Sequence, residues 1–438
     1  MTRPTPPLSR RALLRSGGLL AGAAVAAPAL HAMTQVTGSA SGTTSPARAS
    51  DAAPGTAPDP AAAPLAPPAD PTRVQGLPSE PYGTRSPFET AAQLTPTGVV
   101  SGSSWTPHQE LLGTITPADL HFQRHHNGIP FIDPARFTLT LHGLVDKPLT
   151  FTMDELRRLP SVTRTYFIEC SGNGGRGYNN PKPELSPQII DGLTSNTEWT
   201  GVSVATLLRA VGVKPTARWV LAEGSDAAVM TRSIPLAKML DDALVVYAQN
   251  GEALRPANGY PIRLLLPGWE GNMCVKWLRR LEVTDMPGMT REETSKYTDP
   301  LPDGTSRQFS FVMDVKSMIT SPTWPYTVPE KGWWTIRGLA WTGRGAVRRV
   351  DVSTDGGRSW QVAQMPGGAP PLAHTRFELP WYWDGRPARL MSRAIDETGA
   401  VQPTLEQYRK VRGENPGYHL NAIRSWDVAA DGTVTFGG

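Results

Sequence analysis

Thiols are the scarcest feature of this 438-residue sequence, which holds two cysteines, Cys170 and Cys274. Two cysteines allow one disulfide at most and rule out a disulfide framework. There is also no CxxC pair and no CxxCH haem-attachment motif. Zinc and iron–sulfur centres draw several ligands from the protein, so cysteine alone supplies neither here. Long apolar runs are also missing. Past the N-terminal leader, no stretch approaches the roughly 20 residues that a spanning helix needs, so no stable membrane anchor is expected. No Lys/Arg cluster lies along a periodic helix and no nucleic-acid motif occurs, which argues against a nucleic-acid partner. The formal charge of +4 includes the N-terminal arginines, so the remainder is nearer neutral. Hydrophobic residues make up 39% and charged residues 19%, ordinary values for a chain with a sizeable core.

What is present begins with an address. Ser9-Arg10-Arg11 is followed by Leu13 and an Ala/Gly-rich apolar run to about Ala29. This is a signal peptide of the twin-arginine type, expected over residues 1–36. Twin-arginine export moves folded proteins, often because a cofactor was inserted before export, so a periplasmic protein with a bound cofactor is expected. Residues 37–96 are rich in Ala, Pro, Ser, Thr and Gly without apolar periodicity, and read as a disordered linker.

Ordered patterning follows. Phe137, Leu139 and Leu141 alternate with polar residues, as in a half-buried strand. Thr152-x-x-Glu155 opens a short helix to Leu159. Val204–Val211 reads as a helix stopped by Gly212. Trp219–Ala222, Leu244–Gln249 and Ile262–Leu266 read as strands, and Ser233 as the cap of a helix with Pro235 near its start. Strands and short helices mix without a βαβ rhythm, which predicts an α+β domain over 97–304. After Asp303 helical signals fade. Trp333–Trp341, Val347–Thr354, Ser359–Met365 and Arg389–Asp396 are short strands, with Asp355-Gly356-Gly357 as a turn. This predicts a β-sandwich over 305–438.

The chemistry centres on Cys170, in the string FIECSGNGG, at the end of an apolar strand and before a glycine-rich loop. Such a loop lets backbone approach a bulky ligand. A thiolate suits a soft metal, and one cysteine can complete a site whose other sulfurs belong to an organic cofactor. The alternative is a nucleophilic Cys with a His partner. Arg124 and His126 would share a face of an extended segment and suit an anion. The adjacent pair His125-His126 would point to opposite faces, which weakens a zinc reading. Arg263 and Lys276 lie in a second and a third segment interspersed with glycine, again favouring an anionic ligand. Cys274, beside Val275, reads as structural.

Several long strings, in order, resemble the sulfite oxidase family of molybdenum enzymes. They are GTITPADLHFQRHHNGIPFIDP, FTMDELRRLPSVTRTYFIEC, EWTGV, LAEGSD, NGEALRPANGYPIRLLLPG, VKWLRR, EETSKYTDPLPDG and VDVSTDGGRSW. Within the family, the sequence looks most like the molybdenum subunits of the sulfane dehydrogenase branch. The resemblance implies a molybdopterin-binding domain followed by an immunoglobulin-like dimerisation domain, hence a homodimer. It puts molybdenum–molybdopterin on this chain, with Cys170 as the metal ligand. It places Phe122, Arg124, His126, Asp226, Asn258, Arg263, Val275 and Lys276 at cofactor-binding positions, Arg124 also stabilising charge on the product. It implies oxygen-atom transfer to the sulfur of a carrier protein. With no haem motif in the chain, electrons would pass to a c-type cytochrome subunit. Three departures stand out. Asn258 replaces a family His, although an amide can still donate a hydrogen bond. Gly174-Gly175, then Arg176, replace a pair of arginines. Ser195 stands where the family has a tryptophan lining the sulfite pocket, and Tyr297 lies near the family's active-site Tyr. Less bulk and charge suggest a wider mouth. The rival readings are a sulfite dehydrogenase, a methionine-sulfoxide reductase, which the second domain argues against, and a cofactor-free periplasmic binding module.

Overall fold

The computed structural model describes residues 85–438 apart from 87, 97 and 415. The expected signal peptide and most of the expected linker lie outside the described residues. Residues 91–438 form one compact unit. Gln93 and Leu94, within the expected linker, are bonded to it: Gln93 donates to the His121 carbonyl and Leu94 pairs with Trp105.

Two five-stranded sheets build the first half. One is antiparallel and runs Val162–Glu169, Thr194–Ser203, Leu244–Gln249, with Glu252–Ala253 and Arg263–Leu265 both pairing the last strand. The other has the order Leu149–Thr152, Thr138–Gly143, Leu278–Thr284, Trp219–Gly224, Thr231–Pro235, and its Thr138–Gly143/Leu278–Thr284 pair is parallel. Side chains alternating along these strands, among them Leu139, Leu141, Val220, Ala222, Val245 and Leu281, are buried in one core, as a period of two requires. Helix Met153–Arg157 carries the expected capping box, Thr152 Oγ1 accepting from Glu155 N at 3.3 Å and Glu155 Oε2 from Thr152 N at 2.9 Å. It stops two residues short of Leu159. Gly143 sits where strands Thr138–Gly143 and Leu278–Thr284 approach closely. Its φ is +94°, and a Cβ there would lie 2.2 Å from the Val283 carbonyl oxygen, so only glycine fits.

The second half stacks a three-stranded sheet, Lys316–Ser321, Gly332–Trp341 and Thr375–Trp383, against a five-stranded one. The latter contains Gln361–Val362, Val347–Ser353, Ala388–Asp396, Ser425–Val428 and Val434–Phe436. Their inner faces share Val350, Val352, Phe377, Leu390, Trp426 and others, the core of a β-sandwich. Together the halves make the α+β body and sandwich the sequence predicts. Phe167 of the first half packs with Met313, Met318, Leu339 and Trp341, and so joins the two.

Three local expectations are corrected. Ser233 caps no helix. It sits inside strand Thr231–Pro235, its N–H and hydroxyl both taken by Glu293, and Pro235 stands at the helix start. The strand expected over 359–365 shrinks to Gln361–Val362, because Asp355 draws Ser359 into a turn through Ser359 N (2.9 Å) and Oγ (2.6 Å). Helicity also returns late, at Leu405–Arg412, opened by a capping box of Thr404 and Gln407.

Candidate active site

The strand Val162–Glu169 delivers Cys170 to its carboxyl end. There Cys170 N donates to the Leu193 carbonyl at 2.9 Å, and the chain turns through Ser171–Gly174. Gly174 adopts φ +98° before helix Gly175–Asn179. Cys170 is half-buried, and burial pushes its thiol above the ordinary value. Cys274 is buried and also free of any disulfide. It accepts a hydrogen bond from Leu266 N at 3.3 Å, in keeping with a structural role.

Cys170 opens onto a cleft. Phe122, Arg124 and His126 reach it from the segment around strand Gln123–His125, and Asp226 from the loop after strand Trp219–Gly224. Asn258, Arg263, Val275 and Lys276 line the rest. The cysteine and the eight residues at expected cofactor-binding positions therefore line one cleft, although the segments are up to about 150 positions apart.

The electrostatics favour an anion. Arg263 donates to the Asn258 and Cys274 carbonyls, each at 3.0 Å, and burial lowers its pKa to about 10. Burial, with Arg263 and Arg124 nearby, pushes Lys276 well below the usual ammonium range. Its ammonium spends its protons on the Arg124 carbonyl (3.0 Å), the Ala257 carbonyl (2.9 Å) and His125 Nδ1 (2.9 Å). His121 and His125 are held neutral, each with a pKa near 3, chiefly by burial and then by the neighbouring cations. Among the described residues, Asp226 is the only carboxylate lining the cleft. Three cations in a partly desolvated cleft repel one another, and an anionic ligand relieves that repulsion.

The cleft also holds unused hydrogen-bonding atoms. Arg263 Nε and His121 Nε2 are buried and have no partner among the described residues, each unmet group costing about 1–3 kcal/mol. A ligand with phosphate and ring heteroatoms meets both needs, so these residues fit a phosphorylated pterin. Among the described residues no three His, Cys, Asp or Glu side chains are grouped to hold a metal by themselves.

Some expectations change in detail. Asn258 is buried, and its amide nitrogen already donates to Gln249 Oε1 (3.2 Å) and the Ala118 carbonyl (3.4 Å). It has its amide oxygen left to offer, not the expected donor. Ser195 does not border the mouth. It is fully buried, its Oγ accepting from Phe122 N at 2.9 Å and bonded to Thr106 Oγ1 at 2.8 Å, so it braces Phe122 from below. Arg176 stacks over Trp105 at 4.4 Å in a neighbouring depression. The mouth is open to solvent and not poor in cations, because Arg291 and Lys296 line it.

His121, His125, Trp277 and Tyr297 also line the cleft, and sequence reasoning assigned them no role. Strict alternation had set His125 aside, but strand Gln123–His125 is only three residues long and the chain bends after it. Tyr297 borders both cleft and mouth, with its OH and His126 Nε2 3.0 Å apart. Burial pushes its phenol well above the ordinary range, so it stays protonated. No local pattern marks it out.

Comparison with known proteins defines the class. Residues 126–291 match the oxidoreductase molybdopterin binding domain, and residues 307–425 match the Mo-co oxidoreductase dimerisation domain. The chain is 31% identical to chicken sulfite oxidase, over 68% of this chain and 70% of that protein. It therefore belongs to the sulfite oxidase family of molybdopterin oxidoreductases. It is also 32% identical to the NADH nitrate reductase of Ulva prolifera, over 76% of this chain but only 43% of that much longer protein. Among solved structures, the sulfane dehydrogenase SoxCD from Paracoccus pantotrophus matches with TM-score 0.80 and 45% identity, over 83% of this chain and 95% of that one.

Proposed function

We propose that this protein is a periplasmic molybdenum oxidoreductase that oxidises sulfane sulfur held on a carrier protein and passes the electrons to a c-type cytochrome. The observation that carries the reading is the meeting of Cys170 with Arg124, Arg263 and Lys276 in one cleft, in a chain 45% identical to a sulfane dehydrogenase. The N-terminal Arg10-Arg11 pair supports export of the folded, cofactor-loaded chain. The match to a dimerisation domain supports a homodimer, built on a catalytic domain over 97–304 and a sandwich over 305–438.

In this reading Cys170 ligates the metal. Arg263 and Lys276 hold the phosphate end of the pterin, and Phe122, His126, Asp226, Asn258 and Val275 line the rest of its bed. When bound, the cofactor supplies two-electron oxygen-atom transfer. The chain's own part is positioning and charge control. Arg124, beside Cys170 in both cleft and mouth, stabilises negative charge on the oxygenated sulfur. Tyr297 keeps its proton and holds His126. The open mouth, bordered by Cys170, Arg124 and Tyr297, suits a sulfur presented on a polypeptide arm. Free sulfite is the second reading, favoured by Arg291 and Lys296 at that mouth, which suit a small dianion.

The test is to purify the exported protein beside its Cys170→Ser variant, measure molybdenum and pterin, and assay both substrates with oxidised cytochrome c. About one molybdenum per chain is expected in the parent, and activity at least about 100-fold lower in the variant, since even outer-shell changes cost 10–100-fold. A higher kcat/KM for carrier-bound sulfane sulfur than for sulfite supports the first reading, and the reverse order supports the second. A folded, metal-free parent points to a binding module instead.

A further inference from the structure

We infer that the β-sandwich sets the position of the metal-binding thiolate, with Lys316 and Trp341 as positioning residues that act on Cys170 through Glu169. The inference rests on the reading of Cys170 as metal ligand.

The argument starts from strand alternation. Ile168 and Cys170 face the cleft, so Glu169 between them points the other way, toward the sandwich. It is 1% exposed. Three donors converge on its carboxylate: Asn173 Nδ2 at 2.9 Å and Lys316 Nζ at 3.2 Å on Oε1, and Trp341 Nε1 at 2.6 Å on Oε2. Lys316 and Trp341 are direct partners across the pair Lys316–Ser321/Gly332–Trp341, so one corner of one sheet presents both. Lys316 also pairs with Asp191 Oδ1 at 2.7 Å. Asp191 lies two residues before Leu193, whose carbonyl accepts from Cys170 N and whose N–H is bound by Asn173 Oδ1 at 3.0 Å. The same lysine therefore steadies both the strand that ends at the thiol and the helix end, Pro187–Asp191, that leads into Leu193.

The other flank is held as well. The Ser171 carbonyl accepts from His419 N at 2.8 Å, and Ser171 Oγ from Asn272 Nδ2 at 3.1 Å. With residues 169 and 171 both fixed, the Cys170 Cα has little freedom. Burying a Glu–Lys–Asp cluster is costly compared with packing apolar groups of the same size. What the charges add over packing is direction: a carboxylate fixed by three donors aims the next side chain within a narrow range.

The test uses purified holoenzyme carrying Trp341→Phe, which removes one hydrogen bond and keeps an aromatic ring, or Glu169→Gln, which keeps the shape. Cys170→Ser is the reference. Molybdenum content, melting temperature, the visible thiolate-to-metal absorption band, and kcat and KM are measured. Both variants should keep parental molybdenum and melt within a few degrees of the parent. Their absorption band should shift, and kcat should fall about 10–100-fold with KM little changed. A parental band and kcat, with or without a lower melting temperature, would make the cluster merely structural and overturn the inference. Retention of the band by Cys170→Ser would remove the metal-ligand reading itself, an outcome distinct from failure of the anchor.

Discussion

Arg263 shows how one side chain can be structural and ligand-binding at once. Two of its nitrogens tie the Asn258 and Cys274 carbonyls together, and Nε beside the cleft has no partner among the described residues. Arg263→Lys keeps the charge but loses the planar fork, so one of these contacts must go. Molybdenum and pterin content after dialysis should then show affinity about 10–100-fold weaker, while the fold, followed by circular dichroism, survives. Tyr297→Phe tests a single hydroxyl. It removes the bond to His126 (3.0 Å), and kcat should fall while cofactor content stays parental. At this scale the sequence was highly legible for residues in dense motifs, Cys170, Arg124, Arg263 and Lys276 above all. It placed Tyr297 only near the family's active-site Tyr and could not pair it with His126, which is 171 residues away.

Among the elements, helix Leu405–Arg412 is short and polar and depends on its cap. Thr404 Oγ1 accepts from Gln407 N at 3.2 Å and Gln407 Oε1 from Thr404 N at 2.9 Å. Thr404→Ala should cost about 1 kcal/mol, read as a lower urea midpoint with an unchanged slope. The helix also reaches toward the site. Tyr408 OH donates to the Tyr418 carbonyl at 3.2 Å, and Tyr418 OH accepts from Tyr297 N at 3.2 Å. Element legibility followed apolar periodicity. Strands Thr138–Gly143 and Leu244–Gln249 were visible because apolar residues mark them. Strand Thr194–Ser203 was not, because its buried residues include Thr194, Ser195, Asn196 and Thr197. Their polar groups are satisfied by distant partners, the Thr194 hydroxyl by the Ile168 carbonyl and the Asn196 amide by the Thr114 carbonyl. Hydropathy cannot register a polar residue made burial-ready by tertiary hydrogen bonds.

For the whole molecule, the junction between the halves carries a buried ion pair, Glu270 with His419 at 2.8 Å. Burial, the largest single influence on each, opposes both charges. The mutual hydrogen bond and attraction outweigh it, leaving Glu270 below its ordinary value and His419 above its own. The raised histidine stabilises the fold fully below the ordinary imidazole value of 6.5, and that part fades as pH rises through its folded pKa. The lowered glutamate stabilises fully above the ordinary carboxylate value of 4.5, and its part fades as pH falls through its folded pKa. The pair's contribution is therefore greatest between pH 4.5 and 6.5. Melting temperature against pH should show a His419→Gln variant losing most, relative to the parent, inside that window. An equal loss at pH 9 would mean that the pair's charge carries none of its stabilisation.

The sequence by itself determined the family, the α+β body with its sandwich, the thiol at a strand end and the cationic segments, because each is written in contiguous residues or short periods. Only the tertiary structure decided that Ser195 lies beneath Phe122 instead of at the mouth, that Asn258 spends its donor internally, and that Glu169 is gripped by Lys316 and Trp341. Those outcomes depend on hydrogen bonds and ion pairs between residues far apart in sequence, whose partners are chosen by chain packing and leave no local pattern.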